Sequence, residues 1–192
     1  MRDFTADHRW LSINTATLRK QGDLLAIIDA CAKAEIRAIS PWRDQVAAVG
    51  LDRAVQAVKA AGLALSGYCR GGMFPADADR LGEARDDNRR AVDEAVALGA
   101  PCLVLVVGGL PQFSRPGSRP SRDLEAARAM VEDGIGTLLD HARDARMPLA
   151  IEPLHPMYAA DRACVNTLAQ ALDICDRLKP RLPRLEFRRP YR

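Results

Sequence analysis

Short apolar runs alternate with longer amphipathic stretches along most of the chain. Runs that read as β-strands begin near residues 11, 36, 63, 102 and 149. Stretches with apolar side chains every three or four positions predict helices over 23–34, 51–61, 79–98, 122–145 and 166–178. The resulting order, βαβαβαβαβα, is typical of a parallel sheet covered by helices.

Two architectures fit this alternation: an open doubly wound sheet and a closed (β/α)₈ barrel. No GxGxxG motif or P-loop follows the first strand, which disfavours a nucleotide-binding open sheet. Polar residues and glycines cluster after each predicted strand, and a barrel would bring them together on its C-terminal face. We therefore predict an α/β fold of the TIM-barrel type with parallel strands.

The number of repeats is smaller than such a barrel needs. Five βα units occupy the first 178 residues, whereas a barrel has eight units in about 250 residues. The sequence thus predicts a partial barrel over 1–178, truncated after about five units. Residues 179–192, rich in proline and arginine, are expected to form an irregular tail. An out-of-frame or truncated gene product is our hypothesis for this ending.

Composition and charge exclude several classes of protein. The chain is 48% hydrophobic, too apolar for a disordered protein, and no apolar run reaches the roughly 18 residues of a membrane helix. The net charge of +3 comes from residues 179–192, with six basic side chains against one acid; the other 178 residues hold 22 basic and 24 acidic side chains. This distribution gives no reason to expect nucleic-acid or membrane binding. Five cysteines without a CxxC motif, and no secretion signal, predict a cytoplasmic protein with reduced thiols.

Glu152 and His155 are the leading candidates for catalysis. Glu152 ends an apolar strand, where a carboxylate is costly to bury unless it is paired or binds a cation. It is a metal ligand or general base, or else part of a structural ion pair with an arginine. His155 follows within a proline-stiffened loop, where it could share a metal, relay a proton or simply be solvated.

Three further residues follow strands and are candidates for substrate binding. Arg70, in a Cys-Arg-Gly-Gly segment, could hold a sugar oxygen or a phosphate, although the segment could also be a plain turn. Trp42 could form the wall of a polyol pocket or only plug the top of the barrel. Asn14 could hydrogen-bond to a ligand.

Several segments together resemble a known family. They are Ser12–Thr15, Ser40–Trp42, Gly67–Gly72, Gly99–Ala100 and Ile151–Leu154. Across residues 10–178 the chain is similar to the sugar phosphate isomerase/epimerase group, which has the xylose-isomerase-like TIM barrel. The resemblance implies a sugar or sugar phosphate substrate, and a proton or hydride shift next to its carbonyl. It also implies that Glu152 is the first ligand of a divalent metal, commonly Mn²⁺, Mg²⁺, Co²⁺ or Zn²⁺.

The chain also departs from that family. The remaining metal ligands, an Asp, a His and a Glu, would lie beyond residue 178 and are absent, so the implied ligand set is incomplete. Pro156, Met157 and Tyr158 stand where family epimerases often have a second acid, and we assign Tyr158 to substrate binding.

The alternatives to an active isomerase or epimerase are two. A truncated barrel could be a non-catalytic binding or oligomerising module, including a homo-oligomer, because its exposed sheet edge invites pairing. An endonuclease IV-like DNA-repair phosphodiesterase is disfavoured, because its zinc cluster needs several histidines and only one of the three here follows a strand.

Overall fold

The strands of the protein are short and parallel, and helices separate most of them. The structure, a computed structural model, describes residues 10–111, 122–159 and 162–179. The strands are β1 (Ser12–Asn14), β2 (Ala38–Ser40), β3 (Ala64–Leu65), β4 (Tyr68–Gly71), β5 (Leu103–Leu105) and β6 (Leu149–Ile151). The α-helices are α1 (Leu24–Lys33), α2 (Arg43–Val49), α3 (Leu51–Ala60), α4 (Leu81–Leu98), α5 (Leu124–Asp144) and α6 (Leu168–Leu178). Short 3-10 helices cover Thr15–Leu18 and Pro156–Tyr158.

The strands pair in the order in which they occur along the chain. β1, β2 and β3 form one parallel sheet, and β4, β5 and β6 form another. Hydrogen bonds join the two sheets: the Ser66 N–H donates to the carbonyl of Ile39 at 3.0 Å, and the Cys69 N–H donates to that of Pro41 at 3.1 Å. β3 and β4 therefore occupy a single strand position that is interrupted at Ser66 and Gly67.

The two faces of this parallel array differ in chemistry. On one face, Ile39, Leu103 and Leu105 are fully buried in the core. On the opposite face, the hydroxyl groups of Ser12 and Ser66 lie 2.7 Å apart, although β2 separates their strands. Such a contact requires the array to curl toward that side, which we call the inner face. The inner face is thus lined by small and polar side chains, as the concave side of a closing barrel.

Local sequence explains where the helices begin and end. The side chain of Asp23 accepts a hydrogen bond from the N–H of Ala26 at the start of α1. Thr167 and Gln170 form a reciprocal capping box at the start of α6. α4 ends at Gly99, whose φ of 73° is a left-handed conformation that glycine adopts without a steric cost. These signals match the predicted helices.

The structure corrects the prediction at two points and leaves part of it outside the described residues. The third strand is divided, and Cys69, Arg70 and Gly71 belong to β4 instead of a turn after it. α2 was not predicted at all. The tail beyond Lys179 and most of the loop that follows β5, including residues 112–121, lie outside the described residues. Within the described ranges, no helix is both long and apolar enough to span a membrane.

Gly134 provides a test of the packing between α5 and the segment after β4. A Cβ atom at this position would lie 2.6 Å from Cγ and 2.8 Å from Cβ of Phe74, which is itself buried. We expect Gly134→Ala to lower the free energy of unfolding by about 2 kcal/mol, because overpacking outweighs the better helix propensity of alanine. Urea denaturation followed by circular dichroism measures the change.

Gly82 on α4 is the matched control for that substitution. A Cβ at Gly82 would meet no atom within 4 Å. Gly82→Ala should therefore stabilise the protein by about 0.5–1 kcal/mol. If Gly134→Ala stabilised the protein as much as Gly82→Ala, this would contradict the close contact between Phe74 and α5.

Candidate functional site

The C-terminal ends of the strands carry polar side chains on the inner face. Cys69 of β4 is paired with Val104 of β5, which is paired with Ala150 of β6. Since side chains alternate along a strand, Glu152 lies on the same face as Ala150. The glutamate predicted from the sequence therefore follows β6 on the inner face, and its side chain is exposed.

A carboxylate and a guanidinium act on the Cys69 thiol. Burial, and after it the negative charge of Glu152, raise the pKa of this thiol to about 12, whereas Arg70 acts in the opposite direction. The backbone N–H of Glu152 donates to the carbonyl of Leu105 at 3.0 Å and fixes the start of the segment that follows β6. A carboxylate, a thiol and a guanidinium thus share this end of the array.

The reactivity of Cys69 tests this arrangement. Because its pKa is raised, we expect Cys69 to remain a thiol at pH 8, and its alkylation to increase only as the pH approaches about 12. Glu152→Gln removes a negative charge and should move the midpoint of that pH profile downward, whereas Arg70→Met should move it upward. Iodoacetamide labelling read by peptide mass spectrometry measures both. Identical midpoints in all three proteins would contradict the proximity of these groups.

Glu152 has no structural counter-ion and no co-ligand in the described part of the chain. No arginine or lysine of those residues forms an ion pair with it, so the alternative of a structural ion pair is not observed there. No three His, Cys, Asp or Glu side chains of those residues are grouped so that they could hold a metal. A hard divalent cation needs several oxygen ligands, so the described residues do not fit a complete metal site.

His155 and Tyr158 lie in the 3-10 helix region after β6. The Nδ1 atom of His155 accepts a hydrogen bond from the N–H of Met157 at 3.2 Å and so caps that short helix. The ring of Tyr158 packs against the guanidinium of Arg162, 5.2 Å from the ring centroid. Among the described residues, no hydrogen bond or ion pair joins either side chain to Glu152. The functional roles of His155 and Tyr158 therefore stay predictions.

A cavity of about 400 Å³ opens beside the C-terminal ends of β2 and β4. Trp42 and Arg70, both predicted to bind substrate, line it together. Its remaining charged wall comes from α2 and α4, namely Arg43, Asp44, Asp87 and Glu94. The structure thus places two of the predicted residues in one cavity, while Glu152, His155 and Tyr158 do not line it.

Asn14 joins this group through Trp42. The indole N–H of Trp42 donates to Oδ1 of Asn14 at 2.7 Å, and the backbone N–H of Trp42 donates to the hydroxyl of Thr15 at 3.2 Å. The same Asn14 oxygen also accepts from the N–H of Ala16. With its oxygen used twice, Asn14 can offer a ligand only the donor hydrogens of its amide.

A charged cluster that the sequence did not predict supports the wall of the cavity. Arg43 donates paired hydrogen bonds to Glu94 (2.7 and 3.1 Å) and to Asp87 (2.7 and 3.1 Å). The buried hydroxyl of Tyr68 donates to Glu94 at 2.9 Å. We call Arg43, Tyr68, Asp87 and Glu94 the Arg43 cluster. It connects α2, β4 and α4.

The protonation of the cluster follows from its burial and charges. Burial acts to lower the pKa of Arg43, but the hydrogen bonds that Arg43 donates to Glu94 and Asp87 outweigh it and raise that pKa above its ordinary value. Burial raises the pKa of Tyr68, and the negative charge of Glu94 adds to this. Arg43 therefore stays charged and Tyr68 stays neutral. One signal in the sequence could have revealed the cluster: Glu94 lies among the buried positions Ala91 and Leu98 of α4.

Most of the chain is similar to known proteins. The family model of the xylose isomerase-like TIM barrel matches residues 28–185. The crystal structure of protein SMc04130 from Sinorhizobium meliloti 1021 is 60% identical in sequence and superposes with a TM-score of 0.83, covering 90% of this chain and 61% of that one. No curated protein matches the sequence significantly.

More distant solved structures share the fold. D-psicose 3-epimerase from Clostridium cellulolyticum H10, solved with D-tagatose, is 12% identical with a TM-score of 0.68 over 87% of this chain and 59% of that one. An IolI protein with a bound zinc atom is 18% identical with a TM-score of 0.68 over 88% of this chain and 58% of that one. The chain spans about three-fifths of the length of these structures.

Proposed function

Since the chain belongs to the xylose isomerase-like TIM barrel family, we propose that it acts on a sugar or sugar phosphate as an isomerase or epimerase, by a proton shift next to a carbonyl. The observation that carries the proposal is the position of Glu152. Its exposed carboxylate follows β6 on the inner face, at the end of the parallel strands where barrel enzymes bind their substrates.

Glu152 supplies the chemistry of the proposed reaction. A carboxylate that is exposed and free of a counter-ion among the described residues can take a proton from the carbon next to a carbonyl. In an isomerisation a proton then returns to the neighbouring carbon, and in an epimerisation it returns to the opposite face of the same carbon. The thiol of Cys69 beside it is buried and protonated, so it does not compete as a nucleophile. His155, on the same loop as Glu152, is proposed to assist the proton transfer.

The sugar would be held by groups that the structure gathers near the cavity. Trp42 offers an aromatic surface for the apolar C–H groups of a sugar, and Arg70 offers hydrogen-bond donors for its oxygens. The amide of Asn14 adds a further donor beside Trp42. Tyr158 is proposed to contact the substrate from the segment after β6.

A divalent cation, Mn²⁺, Mg²⁺, Co²⁺ or Zn²⁺, belongs to the proposal only in part. Glu152 is the single described residue that we propose as its ligand. The described residues do not fit a complete site. An IolI protein of the same fold was solved with zinc, which supports testing this metal among the four.

Proton exchange with solvent tests the proposal directly. The chain is incubated in D₂O with D-fructose, D-psicose, D-tagatose or D-fructose 6-phosphate, and deuterium incorporation next to the carbonyl is followed by NMR. Each reaction is run with EDTA and with each of the four cations. We expect incorporation into at least one sugar, and a loss of that incorporation with EDTA.

Each result of this experiment has a defined meaning. Incorporation that is unaffected by EDTA would contradict metal dependence and leave the isomerase proposal standing. Saturation-transfer NMR that detects a bound sugar without any exchange would favour the second candidate function, a non-catalytic binding module. The exposed apolar side chains Leu168 and Leu172 on α6 favour that candidate, because they offer a surface for a partner. If the chain shows no proton exchange and binds no sugar, the proposed function is overturned.

A further inference from the structure

The indole of Trp42 is fixed from its edge and from one face. Its N–H donates to Asn14 at 2.7 Å, so the edge is tied to the end of β1. The guanidinium of Arg19 lies over the ring, 5.6 Å from its centroid. Arg19 in turn forms a paired ion contact with Asp44 on α2. Three side chains, those of Asn14, Arg19 and Asp44, thus determine how this ring is oriented.

Trp42 borders the cavity of about 400 Å³, whereas Arg19 is not among the residues that line it. Because Arg19 covers one face of the ring, the opposite face is the one left for a ligand in the cavity. The indole N–H is already used by Asn14 and cannot serve a ligand. What Trp42 presents to the cavity is therefore a flat aromatic surface with no hydrogen-bonding group.

We propose that Arg19, held by Asp44, is a positioning residue that fixes Trp42 as a one-sided platform for the apolar C–H face of a sugar ring. This inference rests on the proposed function for the identity of the ligand, but not for the geometry of the platform. Arg19 lies outside the cavity and acts only through Trp42.

The chemistry of the clamp agrees with this role. A guanidinium over an aromatic face is attracted by the electrons of the ring, and its planar shape packs against the indole. Asp44 fixes the orientation of the guanidinium through two hydrogen bonds, so the arginine does not rotate away into solvent. A sugar that stacks on the opposite face then meets a ring that has no orientational freedom left to lose.

Fluorescence of Trp42 tests the positioning role without any ligand. In the full 192-residue chain carrying Trp10→Phe, Trp42 is the remaining tryptophan. We expect Arg19→Ala to raise acrylamide quenching of Trp42 about twofold, because a second ring face is uncovered, and to weaken its near-UV circular dichroism. Arg19→Lys should give intermediate quenching, since an ammonium group can also lie over the ring but cannot form the paired contact with Asp44. Asp44→Asn should also give intermediate quenching.

The exposed Arg53 on α3 gives the matched control, because Arg53→Ala removes an arginine that does not contact Trp42. Far-UV circular dichroism verifies that each variant is folded. Quenching and near-UV signals in Arg19→Ala equal to those of Arg53→Ala would overturn the positioning role. Arg19 and Asp44 are both exposed, so Arg19→Ala and Asp44→Asn are two independent ways of weakening the contact of Arg19 with the Trp42 ring.

Addition of a sugar separates the inference from the proposed function. D-fructose should protect Trp42 from acrylamide, and Arg19→Ala should require about two- to fivefold more sugar for the same protection. Arg19→Ala could change the quenching as expected while no sugar protects Trp42 in the parent or in any variant. In that case the ligand is not a sugar, and the platform geometry is still supported. Equal sugar protection in the parent and in Arg19→Ala would overturn the contribution of Arg19 to binding.

Discussion

Replacing Glu152 by glutamine should lower sugar-dependent proton exchange at least about 100-fold. Glutamine keeps the shape of the side chain but cannot accept a proton from carbon, and a positioned general base contributes about 10²–10⁴-fold to such a reaction. The exposed position of Glu152 means that little stability is at stake, so the thermal melt should be nearly unchanged. Deuterium incorporation into the sugar, at equal protein concentration, measures the effect.

Two further variants make the result specific to this carboxylate. Glu152→Asp keeps the charge and shortens the side chain, so it should retain part of the activity. Glu35→Gln changes an exposed glutamate before β2, at the opposite end of the strands, and should leave the exchange unchanged. Equal exchange in Glu152→Gln and Glu35→Gln would refute the assignment of Glu152 as the proton-transferring group.

Arg43→Met should destabilise the protein by about 3 kcal/mol. Arg43 is 19% exposed and neutralises Glu94, which is 25% exposed, through two hydrogen bonds. Removal of one partner of a buried ion pair costs about 3–5 kcal/mol, and the partial exposure of Glu94 and Asp87 reduces this value. Urea denaturation of the variant and of the parent protein gives the difference.

A second substitution and a pH series identify the cause of that loss. Arg43→Met combined with Glu94→Gln should recover part of the stability, because one uncompensated charge is removed. Burial acts to raise the pKa of Asp87, but the hydrogen bonds from Arg43 prevail and lower it, so its stabilising contribution is present above about pH 4 and is lost as the pH falls further. The difference in the free energy of unfolding between the parent and Arg43→Met should therefore become smaller below about pH 4. A difference that stays constant from pH 7 to about pH 3 would contradict an electrostatic origin of the lost stability.

Much of the fold follows from local features of the sequence. Apolar periodicity and helix-ending glycines predicted the alternation of strands and helices, and the structure and the family confirm the parallel α/β barrel type. α2 escaped prediction because its seven residues are too few for a clear period, and no side chain caps its start at Trp42. The division between β3 and β4 escaped as well, because it depends on which neighbouring strand each half contacts.

The site was less accessible to sequence analysis than the fold. Residues that end strands could be identified singly, and Trp42, Arg70 and Asn14 do lie near one cavity. The spacing of α4 marks Glu94 as an unusual position, but Arg43 is 44 residues from Asp87 and 51 from Glu94, and no local pattern encodes those pairings. The capping role of His155 was not predicted either, because it depends on the conformation of its own loop.

The sequential order of the strands also bears on how the protein reaches its fold during synthesis. The strands pair with strands close to them in sequence, so β2 can add to β1 as soon as both have been made. The two halves β3 and β4 both add beside β2, and β5 and β6 then follow in turn. Such pairings between segments close in sequence favour fast folding. A polypeptide leaving the ribosome can therefore build this array one unit at a time from its N-terminus, without waiting for a distant strand to be made.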